Sequence, residues 1–299
     1  MSYSELFVSH CGTFGGIQKP FEKADYIILG VPFDNTSTFR TGARFGPDAI
    51  RTASLNMETF SVRTGNDFEK LPLHDLGNLH ISLDVNETLK RIQLVVQEIL
   101  DVGKKPVTIG GEHTITLGIL RAIAKNDVKP ALVVFDAHLD LRNKLMGVHV
   151  SHATFIRRIL EEGKLAKVIE VGTRGLCAEE LNFANTKAEI EFFTVNKVRS
   201  EGVEQISRLI KKELTGCDTV YISIDMDVLD PAYVPAVQNP EPEGLEPHTL
   251  LDILRGICDK HVVGFDVVEI TPHFDYGISA IHAAKIISEM LSYLDNLKV

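Results

Sequence analysis

The stretch VVFDAHLDL, Val133 to Leu141, begins as an apolar run and then places Asp136, His138 and Asp140 at alternate positions. In an extended chain a period of two turns all three to one face. YISIDMDVLDP repeats the pattern with Ser223, Asp225 and Asp227, while Ile224, Met226 and Val228 take the opposite face. A third run, VTIGGEHTIT, sets His113 just past apolar residues, with Gly110 and Gly111 permitting close backbone approach. Brought together, the four carboxylates would repel one another by several kcal/mol even at an effective dielectric of about 20, so the cluster calls for cations. Four carboxylates and two imidazoles exceed one tetrahedral zinc and suit two metals about 3.5–4 Å apart with shared carboxylates. A nitrogen and oxygen donor set without thiolate favours Mn²⁺, and iron, cobalt, nickel and zinc fit the same donors. Alone, each acidic motif is more often a solvated strand end than a ligand pair, and the Gly-Gly run more often a turn before a helix; the three together carry the inference.

These residues need a scaffold that gathers strand ends. Apolar runs at Tyr26–Val31, Pro106–Ile109, Ala131–Phe135, Lys167–Val171, Glu191–Thr194, Thr219–Ile224 and His261–Val268 predict strands. Amphipathic stretches near Thr88–Leu100, Leu117–Ala124 and Ile281–Leu294 predict helices between and after them. Strands apolar throughout, alternating with helices, indicate an α/β fold whose parallel sheet is covered on both faces. Ligands of such sheets gather at the carboxyl ends of the strands. No fixed-period repeat or low-complexity linker divides residues 1–299, which read as a single domain, and the Pro-rich DPAYVPAVQNPEPEGLEP reads as an ordered loop.

Composition narrows the partners. With 31 Lys and Arg against 41 Asp and Glu, a net charge of −10, nothing suggests nucleic acid or an anionic membrane surface. No apolar run approaches the roughly 18 residues needed to span a bilayer. Cys11, Cys177, Cys217 and Cys258 are widely separated, which argues against a disulfide framework and for a reducing, cytoplasmic setting.

GVPFDNTSTFRTGARFGPDAIR, GGEHTIT, FDAHLDL, SIDMDVLDP and GFDVVEITP, in this order, closely resemble signatures of the ureohydrolase family of arginases, agmatinases and formiminoglutamases, most of all agmatinases. The resemblance implies a three-layer α/β/α domain around a mostly parallel sheet of about eight strands, assembled as homo-trimers or homo-hexamers. It implies two Mn²⁺ per chain, one held by His113, Asp136, Asp140 and Asp225, the other by Asp136, His138, Asp225 and Asp227, with Asp136 and Asp225 bridging. It matches Glu269 to the group that hydrogen-bonds the substrate guanidinium. SHAT resembles the agmatinase segment with a proton-shuttling histidine, which points to His152 rather than His149.

Guanidines resist hydrolysis because their carbon is resonance-stabilised. A metal-bridging hydroxide answers that need, since bound metals lower the pKa of water from about 15.7 towards about 7–9. Asp140 can accept and orient its remaining proton, and a histidine titrating near roughly 6.5 can protonate the leaving amine. Asp266, on the opposite strand face from Glu269, could orient a metal ligand. In FRTGARFGPDAIR, Arg40 and Arg44 read as loop supports, and Gly46 and Pro47 as a helix start.

Substrate choice turns on fewer residues. The arginase-like Asp after the Gly-x-Arg strand end is missing, since Gly175 and Leu176 follow Arg174, and SHATF stands where formiminoglutamases carry an SGTPF-like segment. Both favour agmatine, hydrolysed to putrescine and urea. Arg142 argues instead for a carboxylate-bearing substrate, and Gln238-Asn239 replace the Gly-Thr of many relatives. Arginase, guanidinobutyrase and formiminoglutamase activities are the alternatives. From another class, a two-metal phosphoesterase would need Arg142 and Arg174 as a phosphate clamp. A non-catalytic metal-binding relative would have lost a ligand or Glu269.

Overall fold

The computed structural model describes residues 2–297. Nine strands alternate with helices in one sheet. The strands are β1 (Val8–Ser9), β2 (Tyr26–Val31), β3 (Leu73–Leu79), β4 (Lys105–Gly110), β5 (Ala131–Phe135), β6 (Lys167–Thr173), β7 (Ile190–Thr194), β8 (Val220–Asp225) and β9 (Val262–Val268). The helices are α1 (Tyr3–Phe7), α2 (Gly46–Ser54), α3 (Val85–Asp101), α4 (Ile115–Ile123), α5 (Phe155–Glu161), α6 (Ala178–Asn185), α7 (Val195–Glu201), α8 (Val203–Glu213), α9 (Pro247–Ile257) and α10 (Ile278–Asn296). The strand order is β1-β3-β2-β4-β9-β8-β5-β6-β7, and all neighbours are parallel except β1 and β3.

Two apolar cores flank the sheet, because successive strand residues point to opposite faces. Ile28, Val107, Val133 and Ile222 meet α2, α8, α9 and α10 on one side. Ile27, Leu29, Leu132 and Val168 meet α3, α4 and α5 on the other. This is the three-layer α/β fold, with one strand more than the eight expected, and each of the seven predicted strands overlaps an observed one. The additional strands are β1, only two residues long, and β3, whose LHDLGNL buries alternate residues including Asp75 and Gly77. Asp75 goes inside because Arg51 of α2 meets it there, with Nε and Nη2 donating to its two oxygens at 2.8 Å each. A polar pair on the buried face masked the strand pattern.

The central neighbours β4, β9, β8 and β5 run in parallel. The segments after their carboxyl ends carry His113, Glu269, Asp227 and Asp136–Asp140, so four adjacent strands deliver all the motifs to one edge of the sheet. Gly111 is required there, because a Cβ would overlap the Phe33 carbonyl.

Candidate metal centre

The two acidic motifs are not extended strands throughout. β5 stops at Phe135 and β8 at Asp225, where a 3₁₀ turn over Met226–Val228 begins. The expected alternation on a strand face is therefore corrected: Asp136, His138 and Asp140 lie in a loop, and Asp227 in a turn. The cause is the same in both. Asp136 Oδ1 accepts the His138 N–H at 2.6 Å, and Asp225 Oδ1 accepts the Asp227 N–H at 2.8 Å. Each first aspartate folds the chain back over itself as an Asx-turn, leaving its other oxygen for the centre.

The bends still bring the predicted donors together. His113 Nδ1 lies 3.0 Å from Asp136 Oδ2, 3.2 Å from Asp225 Oδ2 and 3.3 Å from Asp140 Oδ2. His138 Nδ1 lies 3.1 Å from Asp227 Oδ2 and 3.4 Å from Asp136 Oδ1. Two groups thus share Asp136: His113, Asp136 and Asp140, and Asp136, His138 and Asp227. Asp140 is held at φ 49° and Glu269 at φ 73°, left-handed conformations costly for non-glycine residues, and both occur at this centre.

The side chains fit cations. Ser223 Oγ donates to Asp266 Oδ1 at 2.6 Å, so it can only accept from His113 Nε2, 2.8 Å away. That fixes a proton on Nε2 and leaves Nδ1 with a lone pair turned to three carboxylates. His113 Nδ1 and Asp136 Oδ2 are both buried without a hydrogen-bond partner, as metal donors would be. Asp266 also accepts from Thr116 and Tyr221 at 2.9 and 3.0 Å, which holds the Asp266–Ser223–His113 chain in place. Burial, then the charges of Asp227 and Asp136, push Asp225 well up, and burial with the Asp136 charge raises Asp140 to about 7. Negative charge is in excess, and divalent cations would relieve it.

Glu269 is buried behind these groups; its Oε1 accepts the His113 N–H at 2.6 Å, while Oε2 has no partner. His152 sits in the turn before α5 and lines a cleft of about 450 Å³ with Thr38, His138, Asp140, Arg142, Asn239 and Glu241. Burial lowers its pKa to about 4, below the neutral range expected, so at neutral pH it is uncharged. His149 instead pairs with Arg158 and is not part of the cleft lining.

Arg174 is fully engaged, donating to the carbonyls of Asp227 and Glu241 at 2.7 Å each and of Pro242 at 2.8 Å, and orders the Pro-rich loop. Arg44 ties to Asp34, and Arg40 Nη1 donates to the Pro235 carbonyl at 2.8 Å, so both support loops. Glu112 is a residue that sequence reasoning passed over. Its buried carboxylate accepts from Thr36, Ser37 and Thr114, and burial raises it to about 7. Glu241 was missed too; its Oε1 lies 3.8 Å from His138 Nε2.

A family model described as the arginase family matches residues 24–292. The chain belongs to the arginase family. Agmatinase of Neisseria gonorrhoeae is 37% identical over 292 residues, covering 93% of this chain and 90% of that protein. The mitochondrial guanidino acid hydrolase of Homo sapiens is 34% identical over 284 residues, covering 93% and 80%. The crystal structure of agmatine ureohydrolase of Thermoplasma volcanium matches with a TM-score of 0.85 at 34% identity, covering 93% of this chain and 92% of that one. The protein is thus a hydrolase of the ureohydrolase type, and its two His and Asp groups could each hold a metal ion.

Proposed function

We propose that this arginase-family protein hydrolyses agmatine to putrescine and urea with two Mn²⁺ ions held by His113, Asp136, His138, Asp140, Asp225 and Asp227. The observation that carries the reading is the charge of the cleft. Arg174 is spent on carbonyls, Arg142 Nε lies 3.7 Å from Glu180, and the half-exposed Glu241 carboxylate remains on the wall to meet an ammonium.

When bound, the two cations supply Lewis acidity and a water acidified for attack near neutral pH. Glu269 offers its unpartnered Oε2 to a guanidinium N–H and orients the carbon. Asp140 takes the proton of the attacking water. The water oxygen bonds to the guanidinium carbon, and His152 carries the proton that Asp140 took to the alkyl nitrogen. The bond from the carbon to that nitrogen breaks, and the remaining hydroxyl proton passes to the freed amine, leaving urea and an ammonium. The donor set, all nitrogen and oxygen, supports manganese. One continuous sheet supports a single domain over 1–299. Four free cysteines support a cytoplasmic setting, and exposed Phe39, Phe274 and Tyr276 support self-association, which the resemblance puts at homo-trimers or homo-hexamers. No described helix is long and apolar enough to cross a membrane.

Arg142 favours a second reading, a guanidino acid such as 4-guanidinobutyrate, because its side chain stays 38% exposed at the cleft. The phosphoesterase alternative loses its clamp with Arg174 engaged, and the non-catalytic one predicts a lost donor where all are present. kcat/KM for urea release from agmatine, arginine and 4-guanidinobutyrate, with formamide release from formiminoglutamate, decides the matter. Preference for agmatine is expected, and preference for any carboxylate-bearing compound would overturn the assignment. His152→Phe should lower turnover about 10²–10⁴-fold with metal content unchanged; a damaging His149→Phe instead would assign the wrong histidine.

A further inference from the structure

The geometry points to Glu112 as a positioning residue that, through Thr36, sets the tautomer of His152, keeping the proton on Nδ1 and the lone pair of Nε2 turned to the cleft. Its consequence for turnover rests on the shuttle role proposed above; the tautomer itself does not.

Glu112 is completely buried. At the alkaline pH of the test below it is a carboxylate with no hydrogen to give, so its neighbours must donate. Oε2 accepts the Thr36 N–H at 2.8 Å and the Ser37 hydroxyl at 3.3 Å, and Oε1 accepts the hydroxyls of Thr36 at 2.5 Å and Thr114 at 2.6 Å. The single hydroxyl hydrogen of Thr36 is therefore committed to Glu112. Towards His152, Thr36 Oγ1 can only accept, and it lies 3.2 Å from the backbone nitrogen and 3.4 Å from Nδ1. Nδ1 must carry the hydrogen. A neutral imidazole has one N–H, so Nε2 keeps its lone pair, with the Thr38 hydroxyl 3.5 Å away. Thr38 and His152 both line the cleft, which puts that lone pair on the substrate side. The loop bearing Thr36 and Thr38 is itself fixed, since Asp34 accepts the Gly42 N–H at 2.9 Å and the Arg44 Nε–H at 2.5 Å. A proton collected at Nε2 is thus placed to be passed on within the cleft, with no ring flip or tautomer exchange beforehand.

Two near-isosteric changes break the relay at different points. Thr36→Val removes the acceptor. Glu112→Gln, its amide oxygen held by the Thr36 N–H, presents its NH₂ to the Thr36 and Thr114 hydroxyls and releases the Thr36 hydrogen towards Nδ1. The test is long-range ¹H–¹⁵N correlation NMR of full-length, ¹⁵N-histidine-labelled protein at pH 8.5, metal-free and loaded with diamagnetic Zn²⁺, with the His152 signals assigned by their loss in His152→Phe. The wild type and Thr36→Ser should show protonated Nδ1 and unprotonated Nε2. Thr36→Val and Glu112→Gln should shift towards Nε2–H and lose kcat about tenfold or more, at unchanged metal content. A wild-type His152 protonated on Nε2 would overturn the inference even if no variant folds, as would an unchanged tautomer in both variants. Full turnover in His152→Phe would instead remove the shuttle role and leave the tautomer result to stand or fall by its own spectrum.

Discussion

Arg51 with Asp75, on α2 and β3, and the Asp and His cluster beyond β4, β5, β8 and β9 both bury formal charge, yet they close their valences differently. Around Arg51 the donors and acceptors match: Asp75 takes two guanidinium bonds and the N–H groups of Phe14 and Gly77, while Arg51 Nη1 reaches Asn78 at 2.7 Å. At the carboxyl ends, four carboxylates meet two imidazoles, and His113 Nδ1, Asp136 Oδ2 and Glu269 Oε2 are buried without partners. A buried charge satisfied by its own chain is structural, whereas one left short of cations is built for something the chain does not supply.

Removing the bound cations should have the largest effect. Chelation is expected to abolish turnover, restored by Mn²⁺, with elemental analysis giving two ions per active chain; saturation at one ion would contradict the paired centre. Asp140→Asn or Asp227→Asn should remove most turnover. In the metal-free chain the same changes should leave stability unchanged or raised, because each takes a negative charge out of an overcrowded cluster.

At the matched pair the sign reverses. Asp75→Asn leaves the Arg51 guanidinium buried without its counter-charge and should cost about 3–5 kcal/mol in denaturant unfolding, with metal bound per folded chain unaffected. If Asp140→Asn destabilised the metal-free chain as strongly, the distinction between the two clusters would fail.

Between these extremes lies the residue that orients a donor. Ser223→Ala leaves all six proposed ligands in place but frees His113 from the tautomer that exposes Nδ1. Metal affinity should fall about 10–100-fold while stability moves little, measured by competition with a chelating dye. Unchanged affinity would mean that the Asp266–Ser223–His113 chain is not what aims the imidazole.

The sequence displayed the donor types and spacing but not how the chain bends to gather them. The strands bearing the site were readable because both faces are buried, so their residues are apolar nearly throughout. The Asx-turns at Asp136 and Asp225 were not, because a side chain that captures its own backbone leaves the alternation intact in one dimension. Glu112 stood in plain view beside His113, but its partner Thr36 lies 76 residues earlier, a separation that local pattern does not register. β3 was hidden by the Asp75 that pairs with Arg51, so the matched cluster also concealed a strand.

Glu170 gives the smallest and most discriminating effect. It lies on β6 in the row formed by Thr108, Asp266, Ser223 and Val134 across β4, β9, β8 and β5. It is completely buried, and neither carboxylate oxygen has a hydrogen-bond partner. Burial, then the charges of Asp136 and Asp140, hold its pKa well above the ordinary 4.5. The folded chain therefore keeps a proton that the unfolded chain releases, and this contribution to stability is full below the unfolded value and lost as pH rises towards the folded one. Glu170→Gln cannot titrate. Its stability relative to wild type should be constant below pH 4.5 and grow by about 1 kcal/mol between pH 5 and pH 6, read from urea unfolding of the metal-free proteins. Parallel stability profiles across that window would show that Glu170 is matched after all, like Asp75, and would place it with the closed cluster rather than the open one.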